Sequence, residues 1–111
     1  MSNKITKIQI EPGVDATKRV RQIAAEFGPE APSHYLAIPV GILILDLKRI
    51  AISSGCVIKS WIHLDGMAYA EILYPPLREE DVVQIIVPLE TQAVVFAFKW
   101  LADKQLLKKG I

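Results

Sequence analysis

Lys59, Trp61 and His63 recur at every second position of one short segment, the spacing that places side chains on a single face of a strand. A cation and two flat rings in a row resemble in kind the surfaces that stack bases and grip phosphates. Stacking one base on an aromatic ring contributes about 1–3 kcal/mol, and sheet faces commonly read single-stranded RNA. Lys18, Arg19 and Arg21 would add phosphate contacts at the rim of such a platform, as would Lys104, Lys108 and Lys109. Each feature also has a plainer use. A strand Trp packs under a helix or at a subunit contact, and three basic residues on a helix form a solvated face. Lysines at a helix end oppose its dipole, each worth about 0.3–1 kcal/mol.

Nucleophilic and metal chemistry find less material. Cys56 is the single cysteine, which excludes an intrachain disulfide framework and a cysteine-built zinc site. Cys56 and His63 have opposite parity on one strand and point to opposite faces, so either would need a partner from elsewhere, such as His34. Cys56 reads better as a small buried hydrophobe. His34 and His63 with Asp46, Asp65 or Glu71 show no metal-ligand spacing. Gly41 is isolated, with no Gly-Lys-Ser/Thr behind it to cradle a phosphate. Glu79, Glu80 and Asp81 read as a solvated turn before a strand. The expectation is a non-enzymatic protein, with no catalytic residue, metal or cofactor assigned.

The elements that must position these residues follow from periodicity. Residues 5–10 form a weak strand ended by Glu11, Pro12 and Gly13. Asp15 caps a helix in which Val20, Ile23, Ala24 and Phe27 make one buried stripe, and Gly28 with Pro29 stops it. Residues 34–39 read as a short extended piece, because Pro39 disfavours helix at Ile38. Residues 41–53 are favoured as a helix ending at Gly55, with Asp46, Arg49 and Ser53 on one narrow polar line. The other reading is a strand with Asp46 and Lys48 among isoleucines.

Asp65 and Gly66 suit a two-residue hairpin turn between 56–64 and 67–74. That turn would pair Ile62 with Tyr69, Trp61 with Ala70 and Ser60 with Glu71. Tyr69 and Leu73 would then join Ile58 and Ile62 on the core face, and Lys59, Trp61 and His63 would stand across from Ile72, Ala70 and Ala68. Pro75 and Pro76 close the second strand, and 78–81 is a charged turn. Residues 82–87, apolar but for Gln84, suit a strand covered on both faces. A last helix spans about 91–109, apolar round nearly its whole circumference, with Gly110 at its C-cap. The expected fold is α+β: a small single domain over 1–111. Its mostly antiparallel sheet (hairpin 56–74 plus strands near 5–10 and 82–87) is packed by two or three helices.

Composition narrows the function. A chain of 111 residues with 51% hydrophobic and 23% charged residues is not an intrinsically disordered one. Thirteen Lys and Arg against twelve Asp and Glu leave +1, so no bulk attraction to DNA or membranes is declared. The charge is uneven: net +3 over 1–21, −5 over 22–98 and +3 over 99–109. Basic ends on an acidic middle fit a nucleic acid, or the docking of one copy on another. Fifteen Ile among the aliphatics suit a thermophilic protein. Residues 1–9 lack the apolar core of a signal peptide. The longest apolar run, 35–45, is eleven residues, short of the roughly 20 that span a membrane. A cytoplasmic protein off the membrane is expected.

Greasiness then points to assembly. The last helix, 82–87 and 35–45 all ask for cover on more than one side. Burying apolar area contributes about 25 cal/mol per Å², and a domain this short buries only about two thirds of its unfolded surface. Self-association is the simple remedy, a two-fold dimer its commonest form, and Val94, Phe98, Trp100 and Leu101 the expected interface residues. The contrary case is a three-layer monomer that covers the helix itself. The functional expectation is an oligomeric assembly or protein-docking module. Its alternative is a single-stranded nucleic-acid binder using Lys59, Trp61, His63, Lys18, Arg19 and Arg21.

Overall fold

Apolar periodicity and turn chemistry place four strands and four helices in the computed structural model, which describes residues 4–74 and 81–109. Strand β1 (Lys4–Gln9) leads to helices α1 (Thr17–Phe27), α2 (Pro32–Ala37) and α3 (Val40–Ser53). Strands β2 (Val57–Ile62), β3 (Ala68–Leu73) and β4 (Asp81–Val87) follow, and α4 (Glu90–Asp103) comes last. Pro75, Pro76, residues 78–80 of the charged turn and Gly110 lie outside the described residues.

The sheet runs β1-β4-β3-β2. β2–β3 and β3–β4 are antiparallel, and β1 joins β4 in parallel. The fold is thus α+β with a mostly antiparallel mixed sheet. The hydrophobic core lies on one face only. Ile58, Ala68, Ala70, Ile72, Val83, Ile85 and Val87 bury there, with α4 lying across β2, β3 and β4 and α3 against β2. α1 packs on α2, α3 and α4, so α4 is enclosed between the sheet and the other helices.

That enclosure differs from the expectation for the last helix. Val94, Phe98 and Leu101, expected at a contact between copies, are at 0% exposure inside the chain's own core. Their all-round apolar pattern is answered within one chain, by a helix layer on the side away from the sheet. Only Trp100 of that set keeps exposed surface. The helix is also shorter than 91–109. It ends at Asp103, and Gln105 takes a positive φ of 59°. Leu107 then folds back onto the core, and the Ser54 hydroxyl accepts the Lys108 N–H at 2.9 Å.

Two further departures have local causes. Residues 32–37 are helical, with Pro32 at the first turn where its missing N–H is harmless. The restriction imposed by Pro39 acts only on Ile38, which is extended at ψ 150°. The hairpin turn has three residues and not two. The His63 N–H donates to Met67 O at 2.8 Å, and the Gly66 N–H to His63 O at 2.9 Å. Gly66, at φ +85°, takes the left-handed bulge position. The register accordingly pairs Trp61 with Tyr69, Lys59 with Glu71 and Ile58 with Ile72. A slip of one residue exchanges the two faces of β3: Ala68, Ala70 and Ile72 go to the core, and Tyr69, Glu71 and Leu73 go to the other face.

Candidate functional site

The face of the sheet turned away from the helices is where the chemically distinctive residues gather. No helix packs on it among the described residues. Across the sheet, register aligns Gln9, Ile86, Tyr69 and Trp61 in one row and Lys7, Gln84, Glu71 and Lys59 in the next. Val82 and Ile86 are buried even here, since neighbouring strands flank them on both sides. Trp61 and Tyr69 stack at 5.6 Å between centroids and 22° between planes. The His63 ring lies 4.9 Å from Tyr69. At the hairpin tip Asp65 accepts the Met67 N–H at 2.8 Å and lies 3.4 Å from the Tyr69 hydroxyl. Partial desolvation, then the Asp65 carboxylate, hold the Tyr69 phenol above its ordinary pKa, so it stays a neutral donor.

Lys59, Trp61 and His63 therefore share one uncovered face, while the basic triplet lies elsewhere. Lys18, Arg19 and Arg21 sit on α1, a helix that packs on α2, α3 and α4, on the far side of α4 from the sheet. Arg21 is committed to structure: its Nη1 donates to Tyr35 O at 3.1 Å and to Ile38 O at 2.6 Å. These residues are not the rim of the sheet platform. Lys104 stands over Trp100 at 5.6 Å from the ring. Trp100 and Tyr74 meet at 5.1 Å and line a cleft of about 420 Å³ with Thr6, Ile8, Val82 and Val83.

A second surface was less visible in the sequence. On α3 the buried side carries Leu43, Leu47, Ile50 and Ala51, and Ile42, Leu45 and Ile52 point outward with Arg49. With Leu36 of α2 they leave four large aliphatic side chains 48–63% exposed. The signal was the narrowness of the polar line: a helix with one solvated face needs more than Asp46, Arg49 and Ser53 to cover it. On one flank Asp46 is drawn inward, bridging His34 Nε2 at 2.8 Å and Arg49 Nη1 at 3.1 Å. On the other, Lys48 Nζ donates to Ser60 Oγ at 2.9 Å, and Ser60 donates to Glu90 at 3.1 Å. That chain of polar contacts ties α3, β2 and the start of α4 together.

Cys56 is fully buried, and desolvation pushes its thiol pKa up. Among the described residues no group of three His, Cys, Asp or Glu could hold a metal ion. No helix there is long and apolar enough to cross a membrane. The fold and its surfaces define an α+β domain with one bare sheet face and one aliphatic helix edge. Comparisons with protein-family models, curated proteins and solved structures find no match.

Proposed function

We propose that the protein is an assembly module that associates with copies of itself, using the aliphatic surface of α2 and α3. The observation that supports this reading is the exposure of Leu36, Ile42, Leu45 and Ile52 on adjoining helices. A contiguous apolar surface marks protein contacts, whereas scattered single residues do not, and Ile42, Leu45 and Ile52 share one face of α3 by their spacing of three and seven. The contact moves from α4, where Val94, Phe98 and Leu101 are already covered, to the segment 35–45 and the helix that continues it. Light scattering across micromolar concentrations tests the reading, and a monomer throughout rejects it. Ile42→Glu with Leu45→Glu should leave the circular dichroism of the fold unchanged and abolish association.

A second reading, binding of single-stranded nucleic acid, is favoured by one observation: Lys59 and the stacked Trp61–Tyr69 pair stand on the uncovered face with His63. It is weakened by the position of the α1 bases. A fluorescent oligonucleotide titrated at low and moderate salt decides it, because phosphate contacts weaken as salt rises. Trp61→Ala should cost about 1–3 kcal/mol of binding if the ring stacks on a base. No binding at low salt ends this reading.

A further inference from the structure

We infer that a second copy of this chain docks on β2 edge to edge, the two β2 strands antiparallel about a two-fold axis at Ser60. The inference rests on the self-association reading and gives it a geometry.

Bonded and non-bonded pairs alternate along an antiparallel hairpin. The His63 N–H bonds Met67 O, so by alternation Trp61 and Lys59 exchange bonds with Tyr69 and Glu71. The N–H and C=O groups of Ile58, Ser60 and Ile62 then point away from β3, and among the described residues no backbone group meets them. Such an edge is a template for another strand. The opposite edge, β1, holds two lysines in six residues.

The β2 edge has an apolar border. Leu45 and Ile52 lie three before and four after Lys48, on the side of α3 from which Lys48 reaches Ser60. Leu45, Ile52 and Ile62 are each about half exposed. A stable interface takes about 800 Å² from each partner, more than three half-exposed aliphatic side chains offer. The helix and the strand edge have to act as one surface.

What fits that surface is the same surface turned by a half rotation. Three outward-facing residues at a spacing of two find full pairing only when Ser60 meets Ser60 of the partner subunit. Ile58 then meets Ile62 of the partner subunit. On the bare face the same register sets Lys59 against Trp61 of the partner subunit, twice over, as a cation–π pair. A slip of two residues one way opposes Lys59 to Lys59 of the partner subunit, like charges face to face. The opposite slip leaves Ile58 beyond the pairing.

Hydrogen exchange of the unaltered protein tests this first. Amides of Ile58, Ser60 and Ile62 should slow at least tenfold as concentration rises through the association midpoint, and those of Lys59 and Trp61 should not change. Second, Lys59 and Trp61 of the partner subunit form a non-bonded pair, about 4.5 Å between Cα atoms, within disulfide reach. The double variant Lys59→Cys/Trp61→Cys should give a disulfide-linked dimer under mild oxidation, and Lys59→Cys alone far less. A dimer by light scattering with unaltered exchange at β2 and no cross-link overturns this geometry and leaves the association reading standing. A monomer at every concentration overturns both.

Discussion

Single residues in this protein act through neighbours that the sequence does not place beside them. Gly28 reads as a helix stop that owes its place to backbone freedom, yet its φ is −77°, open to any residue. Its role is space: a Cβ there would stand 2.3 Å from the Tyr35 ring and hydroxyl, and Tyr35 is fully buried with its hydroxyl accepting the Glu30 N–H. Gly28→Ala should therefore destabilise by about 1–3 kcal/mol in urea unfolding, the cost of overpacking. Gly41→Ala, where a Cβ meets open space in α3, should stabilise by roughly 0.4–1 kcal/mol. Equal effects at the two positions would refute the steric account. Asp15, expected as the cap of α1, stands one residue before the N-cap Ala16 and bonds Thr17 of the first turn. Its carboxylate accepts from the Thr17 hydroxyl at 2.6 Å and N–H at 2.8 Å, and these bonds hold its pKa below 3.8. A lowered folded pKa stabilises above the unfolded value, and that stability is lost as pH falls through the folded one. Asp15→Ala should cost about 0.5 kcal/mol or a little more near neutrality. The gap should narrow between about pH 5 and about pH 3, measured by parallel urea titrations.

At the scale of elements, sequence legibility tracks how many independent cues agree. α1 was readable because stripe and stop coincide on 17–27, and α3 because Asp46, Arg49 and Ser53 make one thin polar line in an otherwise apolar segment. The hairpin was readable as a hairpin but not in register. Asp65 and Gly66 fit both a two-residue turn and the end of a three-residue one, and the difference of one residue decides which side of β3 is buried. What selects the longer turn is tertiary: small Ala68 and Ala70 fit beneath α4, where Tyr69 and Glu71 would not. So Lys59, Trp61 and His63 were placed together correctly, while Tyr69, which completes the cluster, was assigned to the wrong face. Gly66→Ala probes the turn directly. With φ at +85° and open space around its Cβ position, the loss is conformational only. It should be about 1–2 kcal/mol, read by thermal unfolding.

At the scale of the whole molecule, the question is which apolar surface belongs to one chain and which to an assembly. The sequence declares an excess of aliphatic residues but not where the excess lies, because an all-round apolar helix looks the same under a second helix layer as under a second subunit. Here α4 has both its sides covered from within, and of the large aliphatic side chains left exposed Leu36, Ile42, Leu45, Ile52 and Ile62 lie on α2, α3 and β2, with Ile5, Val14, Leu64 and Leu89 elsewhere. The two kinds of surface differ in how they respond to concentration. Phe98→Ala empties a fully buried site and should cost about 3–5 kcal/mol, the same at every protein concentration, since no partner contributes to it. Leu45→Glu with Ile52→Glu touches only half-exposed positions, so the dilute monomer should lose less than about 0.5 kcal/mol. The unaltered protein should gain stability as concentration rises, by mass action on the folded state, and the double variant should not. Melting curves of all three proteins over a hundredfold range of concentration separate these cases. A concentration-dependent loss in Phe98→Ala would return the interface to α4, and an unaltered protein whose melting temperature ignores concentration would leave the aliphatic edge without a partner.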